Sequence, residues 1–320
     1  MAGLWFLLLV TALALVSSFA SYRWWKRRAA SRGPAPRTTS EDRRGGATTS
    51  FFEHDGAAGQ SRSAADGPLI VVGRPPRARY PLVFAHGYFG FDAIGAMQLR
   101  GEYFRGVRGR LEALGHQVHV TRVATAAGVK RRATELAEQI LRLPFDRVNI
   151  IAHSMGGVDA RYAISKLGLG ARVASLTTVG TPHRGTPIAD AAARLGELQR
   201  LRRMLDKMGA NIDGLYDLTT TRMEEFNAIV TDASDVLYAS VVGALTSETA
   251  KVSALLAPGY SYLRKRAGPN DGMVPATSQR WGEVLFEVEA DHWAQIGWSS
   301  GFDAGRFYVA LVEHLADRGL

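Results

Sequence analysis

The stretch that most limits what this chain can fold into is VNIIAHSMGGVDARYA, from Val148 to Ala163. Branched apolar residues run without interruption to Ala152, as in a strand buried on both faces. His153, Ser154, Met155 and two glycines follow, and then apolar residues recur at helical intervals. A strand that becomes a helix within so few residues needs a sharp turn at the serine. Such a turn strains the Ser154 backbone and requires small residues two positions away on either side, here Ala152 and Gly156. The hydroxyl is then held clear of the sheet above a helix N-terminus, where the helix dipole and open N–H groups favour developing negative charge. A plainer reading makes Ser154 only a helix N-cap. Its companions along the chain decide between the two.

The surrounding sequence has the form of an α/β domain. PLVFA, from Pro81 to Ala85, reads as a buried strand, and Leu99 to Leu114 as a helix. HQVHVTRV reads as a strand, Val129 to Leu143 as an amphipathic helix, RVNIIA as a strand, GGVDARYAISKLG as a helix ending at Gly168, and ARVASLTTVG as a further strand. Strands alternating with helices of this length predict a mostly parallel central sheet with helices on both faces. Active sites of such sheets lie at the carboxyl ends of the strands.

A serine hydroxyl is a poor nucleophile without a base. On a sheet of this kind the order along the chain is serine, acid, histidine. Three histidines lie beyond Ser154. His183 comes too soon to leave room for a strand and an acid, and reads as a hydrogen-bonded loop residue. His314 lies in a terminal amphipathic helix and reads as an exposed-face residue. His292 directly follows the strand-like EVLFEVEA, where a loop base belongs. Among the acids between, Asp232 and Asp235 precede a strand, and Asp291 is too close in sequence to face the His292 ring. Asp271, in the loop AGPNDGMVPATS, is the candidate that would orient His292 and stabilise its imidazolium, although Asn-Asp-Gly also favours turns for its own sake. Oxyanion donors are expected from the N–H of Met155, on the turn itself, and of Tyr88, in the loop HGYFG after the first strand, with His86 and Gly87 shaping that loop.

The N-terminal quarter is of another character. Gly3 to Ala20 carries no charge and is about 27 Å long as a helix, near the thickness of a bilayer core. YRWWKRR follows, with aromatic and cationic residues suited to a membrane interface. Residues 1–28 are expected to form an uncleaved membrane anchor, and the trailing positive charge places the following chain on the cytoplasmic side. The competing reading is a cleaved signal peptide ending at SFA, giving a secreted or periplasmic protein. Residues 29–76, rich in Arg, Ser, Gly and Pro, read as a flexible linker. Most of the net charge of +9 sits in this quarter, because residues 81–320 carry 27 Arg and Lys against 25 Asp and Glu. A membrane surface therefore suits the basic tail better than nucleic acid, which is not an expected partner. Residues 77–320 are expected to form the catalytic domain, with a cap at about 186–232. Within the cap, Ile188 to Met208 reads either as a lid at a lipid interface or as a surface helix packed on the sheet.

YPLVFAHGYFGFD, VNIIAHSMGGVDARYA, LTTVGTPHRGTPIAD, NDGMVPATSQRWG and DHW occur here in the same order as in the bacterial triacylglycerol lipases of the α/β-hydrolase superfamily. The chain resembles that family from about Arg79 to its end. The resemblance implies an α/β-hydrolase fold, a lipid or ester substrate, Ser154, Asp271 and His292 as a triad, and Tyr88 and Met155 as oxyanion donors. The alternatives on the same fold are a phospholipase, a thioesterase, a lipid acyltransferase or a catalytically silent scaffold. Three departures stand out. Secreted members often bind calcium, partly through an Asp two residues after the histidine, where this chain has Ala294; no acid lies between Thr249 and Asn270 to supply a partner. No cofactor and no equivalent calcium site are therefore expected. The chain has no cysteine, so the family's disulfide is impossible. The segment between nucleophile and acid is also short, which implies a small cap.

Overall fold

The computed structural model describes residues 76–88, 102–194, 203, 213–247, 251–299 and 301–320. The expected anchor, the expected linker up to residue 75 and most of the candidate lid beyond Arg194 lie outside the described residues. Among the described residues no helix is long and apolar enough to cross a membrane.

The chain builds β1 (Leu82–Ala85), α1 (Val107–Ala113), β2 (Val118–Val120), α2 (Val129–Leu141), β3 (Val148–His153), α3 (Met155–Lys166) and β4 (Val173–Val179). An excursion follows through α4 (Pro187–Arg194), α5 (Asp213–Asp217) and α6 (Thr220–Ile229). The sheet resumes at β5 (Leu237–Gly243), then come α7 (Ala257–Ala267), α8 (Ala276–Gln279), β6 (Glu283–Val288) and α9 (Ala304–Asp317). The sheet order is β2-β1-β3-β4-β5-β6 with every pairing parallel. The expected parallel α/β architecture is therefore present.

Strand alternation divides the core in two. Leu82 and Phe84 of β1 and Ile151 of β3 point to the side covered by α1 and α9, where they meet Leu111, Tyr308 and Leu311. Val83 and Ala85, with Ile150 and Ala152, point to the side covered by α2 and α3, among Leu136, Ile140 and Ile164. The apolar runs of β1 and β3 are continuous because both faces are buried.

The first helix is shorter than the pattern over Leu99–Leu114 suggests. Tyr103 to Gly106 form bends and turns, and Gly106 has φ 70°, a left-handed value from which α1 starts. Tyr103 and Phe104 are buried from this irregular segment, so their apolar spacing reflects core contact and not a helical stripe.

A buried ion pair ties the loops that will form the site to the helix behind it. Arg132 lies on the inner face of α2 with Val129, Ala133 and Leu136. Its Nε donates to Asp159 Oδ2 of α3 at 2.8 Å, its Nη2 to the His86 carbonyl at 2.9 Å and its Nη1 to the Ala124 carbonyl at 2.8 Å. One guanidinium thus joins the loops after β1 and β2 to α3. Burial pushes Asp159 up to about 6 against the pull of Arg132, so the pair is ionic at neutral pH. Removing one member of such a pair strands a buried charge, whereas removing both does not. Arg132→Leu is expected to cost about 3–5 kcal/mol in denaturant unfolding, and Arg132→Leu with Asp159→Leu distinctly less. A double variant no more stable than the single one would show that the pair is not the source of the cost.

Candidate active site

Ser154 stands between the last residue of β3 and the first of α3, with φ 57° and ψ −133°. Among the described residues it is the one non-glycine with positive φ, a conformation that costs on the order of 1–3 kcal/mol. The surroundings hold it. Its N–H continues the β3–β4 ladder to the Val179 carbonyl at 2.9 Å, and its carbonyl accepts from Thr181 Oγ1 at 2.8 Å. A Cβ on Gly156 would lie 2.7 Å from the Ala85 carbonyl oxygen and 2.8 Å from that of His86. A Cβ on Gly87 would lie 2.6 Å from Ser154 Cβ. Both glycines are required by close approach.

The residues expected from order along the chain meet at this turn. Asp271 follows β5 and α7, and His292 follows β6. His292 Nδ1 donates to Asp271 Oδ2 at 2.8 Å, and His292 Nε2 lies 2.9 Å from Ser154 Oγ. A carboxylate only accepts, so the proton sits on Nδ1 and Nε2 is left to accept from the serine hydroxyl. Asp271 is fully buried. Its Oδ1 accepts from the N–H groups of Met273 and Val274, and its Oδ2 also from Gln295 Nε2 at 3.1 Å. The arrangement can move a proton from the serine to the imidazole while a fixed negative charge stabilises the imidazolium.

Tyr88 and Met155 flank the serine. Met155 is the first residue of α3, where N–H groups lack helical acceptors. Tyr88 ends the described loop after β1. The Cα of Gly214 in α5 packs on both side chains, since a Cβ there would come within 2.9 Å of Tyr88 Cε2 and of Met155 Cε. The excursion between β4 and β5 therefore packs on Tyr88 and Met155.

Behind these residues runs a chain of hydrogen bonds that begins in the loop after β1. The Gly87 N–H donates to the Tyr103 hydroxyl oxygen at 3.1 Å. The Tyr103 hydroxyl lies 2.8 Å from His153 Nδ1, and His153 Nε2 lies 3.1 Å from the His292 carbonyl. A carbonyl only accepts, so His153 carries its proton on Nε2, and its Nδ1 accepts a hydrogen bond from the Tyr103 hydroxyl. Burial and the neighbouring His292 hold His153 well below the usual histidine range, and burial pushes the Tyr103 hydroxyl up, so both stay neutral. The loop carrying Tyr88 is in this way connected to the loop carrying His292.

The other candidates fall where their sequence context implies. His183 is buried, with Nε2 3.0 Å from Thr178 Oγ1 and its ring stacked on Trp281. Asp232 accepts from Trp281 Nε1, and the Asp235 carbonyl from Arg147. Asp291 turns away from the imidazole, toward Ser253. His314 differs from expectation: it is half-buried, edge-on to Phe286. Tyr103, Arg132 and Gln295 were not singled out from sequence. An arginine on the apolar stripe of α2 was the one visible hint.

No family model matches the chain. The triacylglycerol lipase of Vibrio cholerae is 30% identical over 246 residues, covering 65% of this chain and 76% of that protein. The chain belongs to the triacylglycerol lipase family of α/β-hydrolases. Triacylglycerol lipase 2 of Saccharomyces cerevisiae is 28% identical over a 310-residue alignment covering 77% of this chain and 93% of that protein. Among solved structures, a metagenomic carboxyl esterase matches with TM-score 0.65 and 23% identity over 75% of this chain and 76% of that one. Staphylococcus hyicus lipase matches with TM-score 0.62 and 18% identity over 79% and 98%. This family member is a carboxylic ester hydrolase on an α/β-hydrolase fold.

Three neutral histidines at this end of the sheet set an acid limit on the lipase fold. Burial lowers His86 to about 3, helped by Arg132, and holds His153 and His183 well below their ordinary value. Unfolded, each binds a proton near pH 6.5; folded, each does not. Stability is therefore complete above that pH and lost as pH falls through it. From pH 6.5 to 5.5 the loss is roughly 2–3 kcal/mol after the opposing protonation of Asp159. Thermal midpoints should drop by roughly 5–10 °C over that unit. A midpoint that stays flat from pH 7 to 5.5 would contradict the buried neutral assignment.

Proposed function

We propose that Ser154, His292 and Asp271 are the triad of a lipase acting on carboxylic esters of lipids. The observation that supports this most is the pair of contacts at the His292 ring, 2.9 Å to Ser154 Oγ and 2.8 Å to Asp271 Oδ2, at a serine held in a left-handed turn. The Ser154 proton passes to His292 Nε2 as Oγ bonds to the ester carbonyl carbon. The N–H groups of Met155 and Tyr88 receive the oxyanion. Collapse breaks the bond to the alcohol, which leaves with the proton from His292. Water then repeats the sequence, releasing the acid and restoring Ser154.

The relatives from Saccharomyces cerevisiae and Vibrio cholerae are triacylglycerol lipases, which supports an acylglycerol substrate. The short sequence segment between Ser154 and Asp271 favours shorter acyl chains than an open long-chain site would take. The uncharged segment Gly3 to Ala20 and the basic run behind it support anchoring to a membrane, with the catalytic domain on its cytoplasmic side. Recovery of the protein in the soluble fraction with a new N-terminus near Ala20 would show cleavage instead.

Ser154→Ala should lower turnover of a p-nitrophenyl ester by about 10⁴-fold or more with an unchanged thermal midpoint. It should also abolish labelling by a fluorophosphonate. A variant that still turns over ester at a near-normal rate would overturn the assignment. A panel of acyl esters varied in chain length and head group, including phospholipid and thioester, separates lipase from the alternatives on this fold.

A further inference from the structure

Asp291 is the residue before His292, and its carboxylate is saturated without touching the imidazole. Oδ1 accepts from the N–H of Trp293 at 3.0 Å and of Ala294 at 2.8 Å. Oδ2 accepts from the N–H of Ser253 at 2.8 Å and from its hydroxyl at 2.5 Å. The side chain is almost wholly buried, where a carboxylate is tolerated because donors replace its water.

The partner is placed with purpose. Ser253 stands at the head of α7, where its carbonyl accepts from the N–H groups of Leu256 and Ala257. The other end of α7 leads through Gly268 to Asp271. The segment from Ser253 to Asp271 is thus bonded at both ends to two successive residues of one loop: Ser253 to Asp291, and Asp271 to His292. The His292 N–H also donates to the Asp271 carbonyl at 2.8 Å, and its carbonyl accepts from His153. The backbone either side of the imidazole is therefore fixed from three directions.

We infer that Asp291 and Ser253 are positioning residues that clamp the loop of His292 in register with Ser154, in place of a bound cation. Calcium does not fit here. N–H and O–H groups point their hydrogens at both Asp291 oxygens, and residue 294 offers only a methyl. The hydroxyl of Ser253 closes the contact that a shared cation would otherwise make between the two segments. Because the imidazole must meet Ser154 Oγ within hydrogen-bond reach, loosening this loop acts on turnover more than on substrate binding.

This inference rests on His292 being the base, and its test is separable from that reading. In the full chain, Ser253→Ala removes the hydroxyl and leaves the backbone bond. It should lower kcat on a short soluble ester by about ten- to a hundred-fold, with KM within about two-fold. Ser253→Thr should restore kcat. In the wild type, EDTA and added calcium should change neither the thermal midpoint nor hydrogen exchange, which should be slow at the Trp293 and Ala294 amides. Wild-type kcat in Ser253→Ala, fast exchange at those amides, or a midpoint raised by calcium would each overturn the clamp. Exchange is read on the wild type, so it holds whether or not the variant folds. Persistent turnover in Ser154→Ala would overturn the triad and leave the exchange result standing.

Discussion

The ladder between β3 and its two parallel neighbours is what the rest of the site depends on. It carries the chain in an extended line as far as His153 and delivers Ser154 into a backbone conformation that a free peptide avoids. The turn survives because the space around it is already committed. The carbonyls of Ala85 and His86 press against Gly156, the Val179 carbonyl takes the serine N–H, and Thr181 takes the serine carbonyl as acceptor. Strain at one residue is thus supported by ordinary hydrogen bonds on several others.

Around that fixed point the molecule assembles polar groups that are almost all neutral. His86, His153 and His183 are buried without charge, their ring nitrogens engaged by backbone or hydroxyl partners and, at His183 Nδ1, by Arg161. Buried charge among the described residues includes carboxylates surrounded by donors, such as Asp271 and Asp291, the direct pair of Arg132 with Asp159, and Arg161 stacked on Trp281. The same low-polarity surroundings strengthen the contacts at the imidazole. Fixed dipoles need no rearrangement when charge develops.

What was legible in the sequence follows from what is local. Small residues on either side of Ser154, a continuous apolar strand before it and helical spacing after it are consequences of one turn, so they appear together in sixteen residues. The placement of Asp271 and His292 followed from the order of strands, because a parallel sheet delivers successive loops to one end. Tyr103 was masked by its own apolar neighbours: Glu102 to Gly106 look like the start of a helix, and only the folded chain shows a bend that buries the ring beside His153. Arg132 and Gln295 owe their roles to partners far along the chain. Asp291 was excluded as the acid for a sound geometric reason, but its bond to Ser253 has no local signature.

The excursion between β4 and β5 leaves and re-enters the sheet without contributing Ser154, Asp271 or His292, each of which is set by another connection. Beyond Thr181, which holds the serine carbonyl, chain can therefore be added to or trimmed from it, as from a removable visor, while the reactive atoms stay where they are. Diversification of what such a scaffold accepts would accumulate in that insert, and transplanting it between homologues is the natural route to redirecting selectivity.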